Sequence, residues 1–161
     1  STKEIYEDDF MGNLFNEIKK NELNYSEIGI EITEGTLMHD LKKSQTIIKS
    51  LRRKDISIGI DDFGKGYSSL AYLAQFPINT IKIDRFFTKQ VLINPTTQHI
   101  VKATIDLAKQ LGYEVLIEGV EDQETSDLLE RLGCHTAQGY LYLRPRKEQD
   151  IISYLMPYRT K

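Results

Sequence analysis

Ile58-Gly59-Ile60-Asp61 is one of four short stretches in this sequence that share a single pattern. The others are Ile28-Gly29-Ile30-Glu31, Ile81-Lys82-Ile83-Asp84 and Val115-Leu116-Ile117-Glu118. In each stretch, branched apolar residues alternate with a second set of residues, and a carboxylate stands at the carboxyl-terminal end. Because the side chains of a β-strand point alternately to its two faces, the pattern predicts four strands whose acids share the face opposite to the apolar one. Charges repeated at the carboxyl ends of strands are typical of a site on a parallel α/β sheet or barrel.

Helical and strand patterns alternate along the whole chain. Helices are predicted over 9–20, 40–54, 68–75, 96–111 and 122–132 and from about 147, and strands over 28–33, 56–61, 79–84, 113–118 and 135–139. This alternation implies an α/β fold with a mostly parallel sheet. The face that carries Ser57, Gly59, Thr80 and Lys82 is too polar and too small for helix packing, so the lumen of a barrel explains it better. Five strands cannot close an eight-stranded barrel, and the predicted barrel is therefore incomplete.

Composition excludes several classes of protein. The chain has 161 residues, 40% of them apolar, which suits one domain or a large piece of one. Its net charge of −3, with no basic cluster longer than residues 52–54, argues against nucleic-acid binding. No apolar stretch approaches the ~20 residues of a membrane span. The polar first ten residues and the single Cys134 lead us to expect no signal peptide, no membrane contact by this segment and a cytoplasmic location.

Four acids, Glu31, Asp61, Asp62 and Glu118, are candidates for a metal site. Carboxylates that converge at one rim repel one another unless a cation lies between them. Mg²⁺ and Mn²⁺ prefer such oxygen ligands, and two ions ~3.5–4 Å apart can clamp a phosphodiester and activate water. Lys82 beside them could orient the water or neutralise charge in the transition state. The alternative is that these acids form only salt bridges across the lumen.

The loop Asp61-Asp62-Phe63-Gly64-Lys65-Gly66-Tyr67-Ser68-Ser69-Leu70 follows the second predicted strand. Its two glycines allow backbone amides to approach a ligand closely, and Ser68 or Ser69 can cap the next helix. A tight connection without a ligand is the alternative. Lys65 within this loop is expected to be a solvated surface residue, with an inhibitory role as the alternative.

Five motifs resemble the EAL-domain family in their order and spacing. They are Glu31-Ile-Thr-Glu34, Asp61-Asp-Phe-Gly-x-Gly-Tyr-Ser-Ser-Leu70, Ile81-Lys-Ile-Asp84, Glu118-Gly-Val-Glu121 and Gln138-Gly-Tyr140. The resemblance implies a modified TIM barrel that hydrolyses cyclic di-GMP to linear pGpG with Mg²⁺ or Mn²⁺.

The resemblance also implies a role for each motif residue. Glu31 and Asp61 would be metal ligands, and Asp62 would reach a second ion. Glu118 would be the catalytic acid and Lys82 would hold the nucleophilic water. Gln138 would support the metal-bound water and substrate, and Glu34 would pin the loop after Asp61. Asp84 and Glu121 would contact the substrate or support the ligands.

Two elements of the family pattern are absent, namely the Glu-Ala-Leu signature with its metal-binding glutamate, and an asparagine ligand. Residues 1–161 therefore resemble the carboxyl-terminal two-thirds of an EAL domain, a barrel without its first strands. We expect impaired metal binding and activity in this segment, and self-association through exposed strand edges. A sensor or cyclase domain upstream is common in the family. The alternative function is a non-catalytic receptor for cyclic di-GMP or a protein-interaction module.

Overall fold

A computed structural model describes residues 4–7, 9–65 and 73–156 of the chain. Its centre is a five-stranded parallel sheet in the order β1-β2-β3-β4-β5, so that each strand pairs with the next along the chain. The strands are β1 (Gly29–Thr33), β2 (Ser57–Phe63), β3 (Thr80–Ile83), β4 (Glu114–Glu118) and β5 (Thr136–Gln138). The predicted α/β fold with a parallel sheet is confirmed.

Helices connect the strands and cover one face of the sheet. They are α1 (Phe10–Lys20), α2 (Glu34–His39), α3 (Leu41–Arg52), α4 (Arg85–Thr88), α5 (Pro95–Gln110), α6 (Gln123–Arg131) and α7 (Glu148–Leu155), with 3₁₀ turns at Glu4–Tyr6 and Tyr25–Glu27. The sequence did not predict the short helices α2 and α4. The predicted helix over 68–75 and its serine cap lie mostly outside the described residues.

Side-chain caps fix where the long helices begin. Asp40 accepts a hydrogen bond from the Lys43 amide at the start of α3, and Asp122 accepts one from the Thr125 amide at the start of α6. Asn94 accepts from Thr96 and precedes a proline in the first turn of α5. Such caps satisfy amides that have no partner within the helix. The helix starts are thus set locally by the sequence, to within one residue of those predicted.

Strand register places the isoleucines in one buried layer. Ile32 pairs with Ile60, Ile60 with Ile81 and Ile81 with Val115. These residues are buried against helical side chains, among them Ile48, Leu51, Ile105 and Leu129. The face opposite to this layer is therefore left to the polar residues of the strands, as the alternating pattern predicted.

A β-bulge interrupts the pairing of β2 with β3. Ile60 pairs with Ile81 but Phe63 pairs with Ile83, so β2 carries one extra residue over this interval. Asp62 lies in the left-handed region with φ of +56°. A bulge of this kind re-aims the side chains around it. Here it lets both Asp61 and Asp62 stay out of the apolar core, and the two acids contact different lysines.

In the part of the chain that the structure describes, β1 and β5 are the outer strands of the sheet and do not pair with each other.

Within the described residues, no helix is both long enough and apolar enough to pass through a lipid bilayer.

We expect Ile60→Ala to lower the free energy of unfolding by about 2–5 kcal/mol, because it removes a fully buried side chain and leaves a cavity. Ile93→Ala is the matched control, since Ile93 is 81% exposed, and should change stability little. Urea denaturation followed by circular dichroism measures both. Equal effects of the two substitutions would contradict the core described above.

Candidate active site

Lys82 lies at the centre of a cluster of carboxylates near the carboxyl ends of the strands. Its Nζ is 2.7 Å from Glu118 Oε1, 2.8 Å from Glu31 Oε2 and 3.5 Å from Asp61 Oδ1. The four residues come from four adjacent strands. The structure therefore brings together two of the three predicted metal ligands and both predicted catalytic residues.

The register of the sheet explains this convergence. Glu31 pairs with Gly59, and Asp61 lies two residues further along the same face of β2. Lys82 pairs with Leu116, and Glu118 likewise lies two residues further along β4. The side chain of Glu31 lies next to Gly59, where an added Cβ would meet Glu31 Cγ at an ordinary contact distance of 3.7 Å. Alternation with a period of two thus delivers all four groups to one place.

Lys82 is held in its charged form. Its side chain is only 8% exposed, whereas that of Glu31 is 55% exposed. Burial lowers the pKa of Lys82, but hydrogen bonds to Glu118 and Glu31 outweigh this effect and leave the pKa above its usual range. The ammonium therefore persists at neutral pH, and it partly neutralises the surrounding acids.

The donor atoms of this cluster suit a hard divalent cation, because all of them are carboxylate oxygens. Among the described residues, no three acid, histidine or cysteine side chains are already arranged around one ion position. The ammonium of Lys82 lies between the acids instead. The residues thus fit a cation chemically, while the salt bridges foreseen as the alternative are the contacts present.

A second cluster joins Asp62, Lys65 and Asp84. Lys65 Nζ lies 2.9 Å from Asp62 Oδ1 and 2.8 Å from Asp84 Oδ2. Asp84 is buried and caps α4, because its Oδ1 accepts a hydrogen bond from the Phe86 amide at 2.8 Å. Lys65 is exposed, in agreement with the expectation of a solvated surface residue, and in addition it pairs with a buried carboxylate.

The ion pairs shift the pKa of both partners. Burial raises the pKa of Asp84, but the hydrogen bonds from Lys65 and from the Phe86 amide prevail and leave it below its ordinary value. Hydrogen bonds to Asp84 and then Asp62 raise the pKa of Lys65. Both groups are therefore charged at neutral pH.

Glu34 fixes the opposite side of the loop that follows β2. Its Oε2 accepts a hydrogen bond from the Gly64 amide at 2.9 Å, and the side chain is buried. Gly64 has φ of +95°, and a Cβ there would lie 2.6 Å from the Phe87 ring. Only glycine fits this turn without displacing the ring. The loop-anchoring contact predicted for Glu34 is thus geometrically available through the Gly64 amide.

Gln138 lies beside Glu118, because the two residues pair across β4 and β5. Gly139 keeps this arrangement compact, since a Cβ at this position would lie only 2.0 Å from the Val120 carbonyl oxygen. Glu121 is exposed and forms no ion pair with any described residue. Strand pairing therefore places Gln138 beside the acidic cluster, while Glu121 lies in the exposed segment after β4.

Thr88 is a supporting residue that the sequence did not indicate. It is buried in α4, and its hydroxyl donates a hydrogen bond to the backbone carbonyl of Glu118. This contact ties the end of β4 to the helix that Asp84 caps. The only signal in the sequence is Asp84 itself, an acid in the capping position before a short helical turn.

A cavity of about 390 Å³ opens on the polar face of the sheet next to the acids. Its lining includes Glu31, Gly59, Thr80, Lys82 and Leu116. A ligand in this cavity would therefore contact Glu31 and Lys82 of the charged cluster.

The model of the EAL domain family matches residues 1–145 of this chain. The chain belongs to the EAL domain family. Among curated relatives, the cyclic di-GMP phosphodiesterase PA2567 of Pseudomonas aeruginosa is 34% identical over 155 residues, which are 96% of this chain and 26% of the relative. The cyclic di-GMP phosphodiesterase PdeL of Escherichia coli K12 is 35% identical over 141 residues, 88% of this chain and 38% of the relative. This EAL domain thus spans well under half the length of these relatives.

Solved EAL structures agree with the architecture of this domain. The PaMucR phosphodiesterase in its c-di-GMP complex has a TM-score of 0.90 and 34% identity, covering 94% of this chain and 61% of that chain. The manganese and cyclic di-GMP complex of Klebsiella pneumoniae BlrP1 has a TM-score of 0.79 and 32% identity, covering 85% of this chain and 35% of that chain. The likeness confirms the predicted TIM-type α/β fold for this EAL domain.

We expect Asp84→Asn to lower the free energy of unfolding at pH 7 by about 1–3 kcal/mol, because it weakens charge-assisted hydrogen bonds to a buried group. The folded-state pKa of Asp84 is below the ordinary value of 3.8, so its contribution is full above that value. The contribution is lost as the pH falls through the folded-state pKa. The difference between wild type and variant should therefore narrow below about pH 4.

Urea denaturation at a series of pH values measures this difference. Asp106→Asn removes the carboxylate of an exposed pair with Lys102 and serves as the control. If the difference in unfolding free energy between the wild type and Asp84→Asn stays constant down to pH 2.5, the ion pair is not its cause.

Proposed function

We propose that this EAL domain belongs to a metal-dependent phosphodiesterase that hydrolyses cyclic di-GMP to linear pGpG in bacterial second-messenger signalling. The convergence of Glu31, Asp61 and Glu118 on Lys82 is the observation that carries the proposal. The names of the relatives PA2567 and PdeL, both cyclic di-GMP phosphodiesterases, support the choice of substrate.

The charge of the site explains why a metal is needed. Three carboxylates face one ammonium, so the site is negatively charged, and the phosphodiester of the substrate is also an anion. Divalent cations would remove this repulsion. Glu31, Asp61 and Asp62 would hold Mg²⁺ or Mn²⁺, which when bound polarises a phosphoryl oxygen and lowers the pKa of a bound water.

The chain's own side chains have distinct parts in this proposal. Lys82 donates N–H groups that orient a water or a phosphate oxygen beside the acids. Glu118 would engage a metal or its bound water as the catalytic acidic residue. Gln138, paired with Glu118, supplies amide hydrogen bonds to water and substrate. Glu34 keeps the loop after β2 in place through Gly64.

Asp84 and Glu121 have lesser parts. Asp84 supports the site indirectly, by holding Lys65 and the start of α4. Glu121 stays a proposed substrate contact from the exposed segment after β4.

A non-catalytic receptor for cyclic di-GMP, or a protein-interaction module, is the second candidate. The observation that bears on it is that Lys82 pairs with Glu31 and Glu118, so that part of the acidic charge is neutralised within the chain. A receptor would bind the dinucleotide and leave it intact.

We expect release of linear pGpG from cyclic di-GMP by this segment in Mn²⁺ to be slow, in keeping with the impaired metal binding expected of it, and chromatography of the products measures the rate. Asp61→Asn should reduce the rate by about 100-fold, because it removes a proposed metal ligand. Asp106→Asn is the control and should leave the rate unchanged, because Asp106 is exposed on α5 and pairs there with Lys102. Binding of cyclic di-GMP by titration calorimetry without any product would favour the receptor, and neither binding nor product would reject both candidates.

We further propose that the chain self-associates through its sheet edges. β1 and β5 are the outer strands of the described sheet, and unpaired edges are templates for strand pairing. Light scattering should show a mass above that of one chain, increasing with concentration. A monomer at every concentration would count against this assembly.

The cellular setting is also a proposal. The relative MucR of Pseudomonas aeruginosa, 36% identical over 138 residues, is named a bifunctional diguanylate cyclase and cyclic di-GMP phosphodiesterase. We propose that this domain likewise acts in the cytoplasm within a longer signalling protein that carries a cyclase or sensor domain.

A further inference from the structure

Lys65 links two carboxylates that come from different strands. Asp62 lies in the bulge of β2, and Asp84 follows β3. The Lys65 ammonium approaches an oxygen of each, at 2.9 Å and 2.8 Å. It therefore lies where a cation bound by both acids would have to lie.

Asp84 is held independently of the lysine. It is 3% exposed, and one of its oxygens is engaged by the Phe86 amide, which leaves the other oxygen for Lys65. The backbone of Asp62 is set by the bulge, with φ of +56°, and its side chain is 42% exposed. Removal of the Lys65 side chain would thus leave two neighbouring carboxylates without the ammonium that now pairs with both.

The two lysines of the site differ in how readily they can leave it. Lys82 is 8% exposed and contacts three acids, so it stays in place. Lys65 is 50% exposed, and its side chain can move into water without crossing the core. Its pKa is raised by both acids, so the ammonium stays charged through neutral pH.

We propose that Lys65 is an internal competitor for a divalent cation, whose ammonium pairs with the Asp62 carboxylate that the ion needs and so lowers the affinity of the site. This inference rests on the proposed metal-dependent function, because Asp62 is one of the proposed ligands. It assigns to Lys65 control of metal affinity, so that metal uptake requires the lysine to swing away from Asp62 and Asp84.

The test measures Mn²⁺ binding directly, by titration calorimetry and by the loss of the free-Mn²⁺ electron paramagnetic resonance signal. We expect Lys65→Met to bind Mn²⁺ about 10-fold more tightly than the wild type, because interactions beside a ligand typically change metal affinity by about 10–100-fold. Lys65→Arg keeps the charge and should bind as the wild type does. Lys102→Met removes a lysine of similar exposure, 46%, from an exposed pair and is the matched control.

Lys65→Gln separates charge from packing, because its amide can still donate a hydrogen bond to Asp84. It should bind Mn²⁺ more tightly than the wild type, as Lys65→Met does. Melting temperatures with and without Mn²⁺ provide a second measurement that does not depend on activity. The increase caused by Mn²⁺ should be larger in both neutral variants than in the wild type.

The outcomes distinguish this inference from the proposed function. Equal Mn²⁺ affinity in the wild type and both neutral variants would overturn the role of Lys65 and leave the metal site standing. Weaker binding in the neutral variants would also overturn it. No Mn²⁺ binding by any of the proteins would overturn both the inference and the metal-dependent function.

Discussion

The contact of Lys82 with three carboxylates is the interaction on which the site depends. Parallel strands in register place Glu31, Asp61 and Glu118 near one another, and without a cation these charges would repel. The ammonium offsets that repulsion from within the chain. The apolar layer on the other face, with Ile60 and Ile81 in register, keeps the strands aligned and therefore keeps the acids together.

The site has two lysines with different surroundings. Lys82 lies among the acids and is nearly buried, while Lys65 is half exposed. Breaking the contacts of Lys82 would leave a buried ammonium unpaired, which is costly. The ammonium of Lys65 can be solvated when it moves away, and the cost lies in the buried carboxylate of Asp84 that it leaves. The contacts of Lys82 are thus a permanent feature of the fold, whereas those of Lys65 can be exchanged. The proposed dependence of catalysis on divalent cations follows from the same excess of negative charge.

Much of the fold could be predicted from the sequence, because its signals are local and periodic. Alternating isoleucines defined β1 to β4, and capping residues such as Asp40 and Asp122 located the starts of α3 and α6. The same alternation predicted that Glu31, Asp61, Lys82 and Glu118 share a face. The short helices α2 and α4 escaped, because four to six residues carry too little periodicity to be recognised.

The position of Lys65 could not be predicted, because it depends on the β2 bulge, and a bulge changes the register between strands without leaving a periodic signal. The bulge also changes which residues of β2 face the core. Before the bulge the even-numbered residues Ile58 and Ile60 face the core, and after it the odd-numbered Phe63 does. Phe63 is buried beside Ile83 because the bulge absorbs one residue of β2. A regular strand of the same sequence would place Asp62 on the core face and turn Phe63 away from it. Deleting one of the two acids would restore regular alternation with Phe63 in the core, so the bulge is the means by which β2 carries two consecutive carboxylates instead of one.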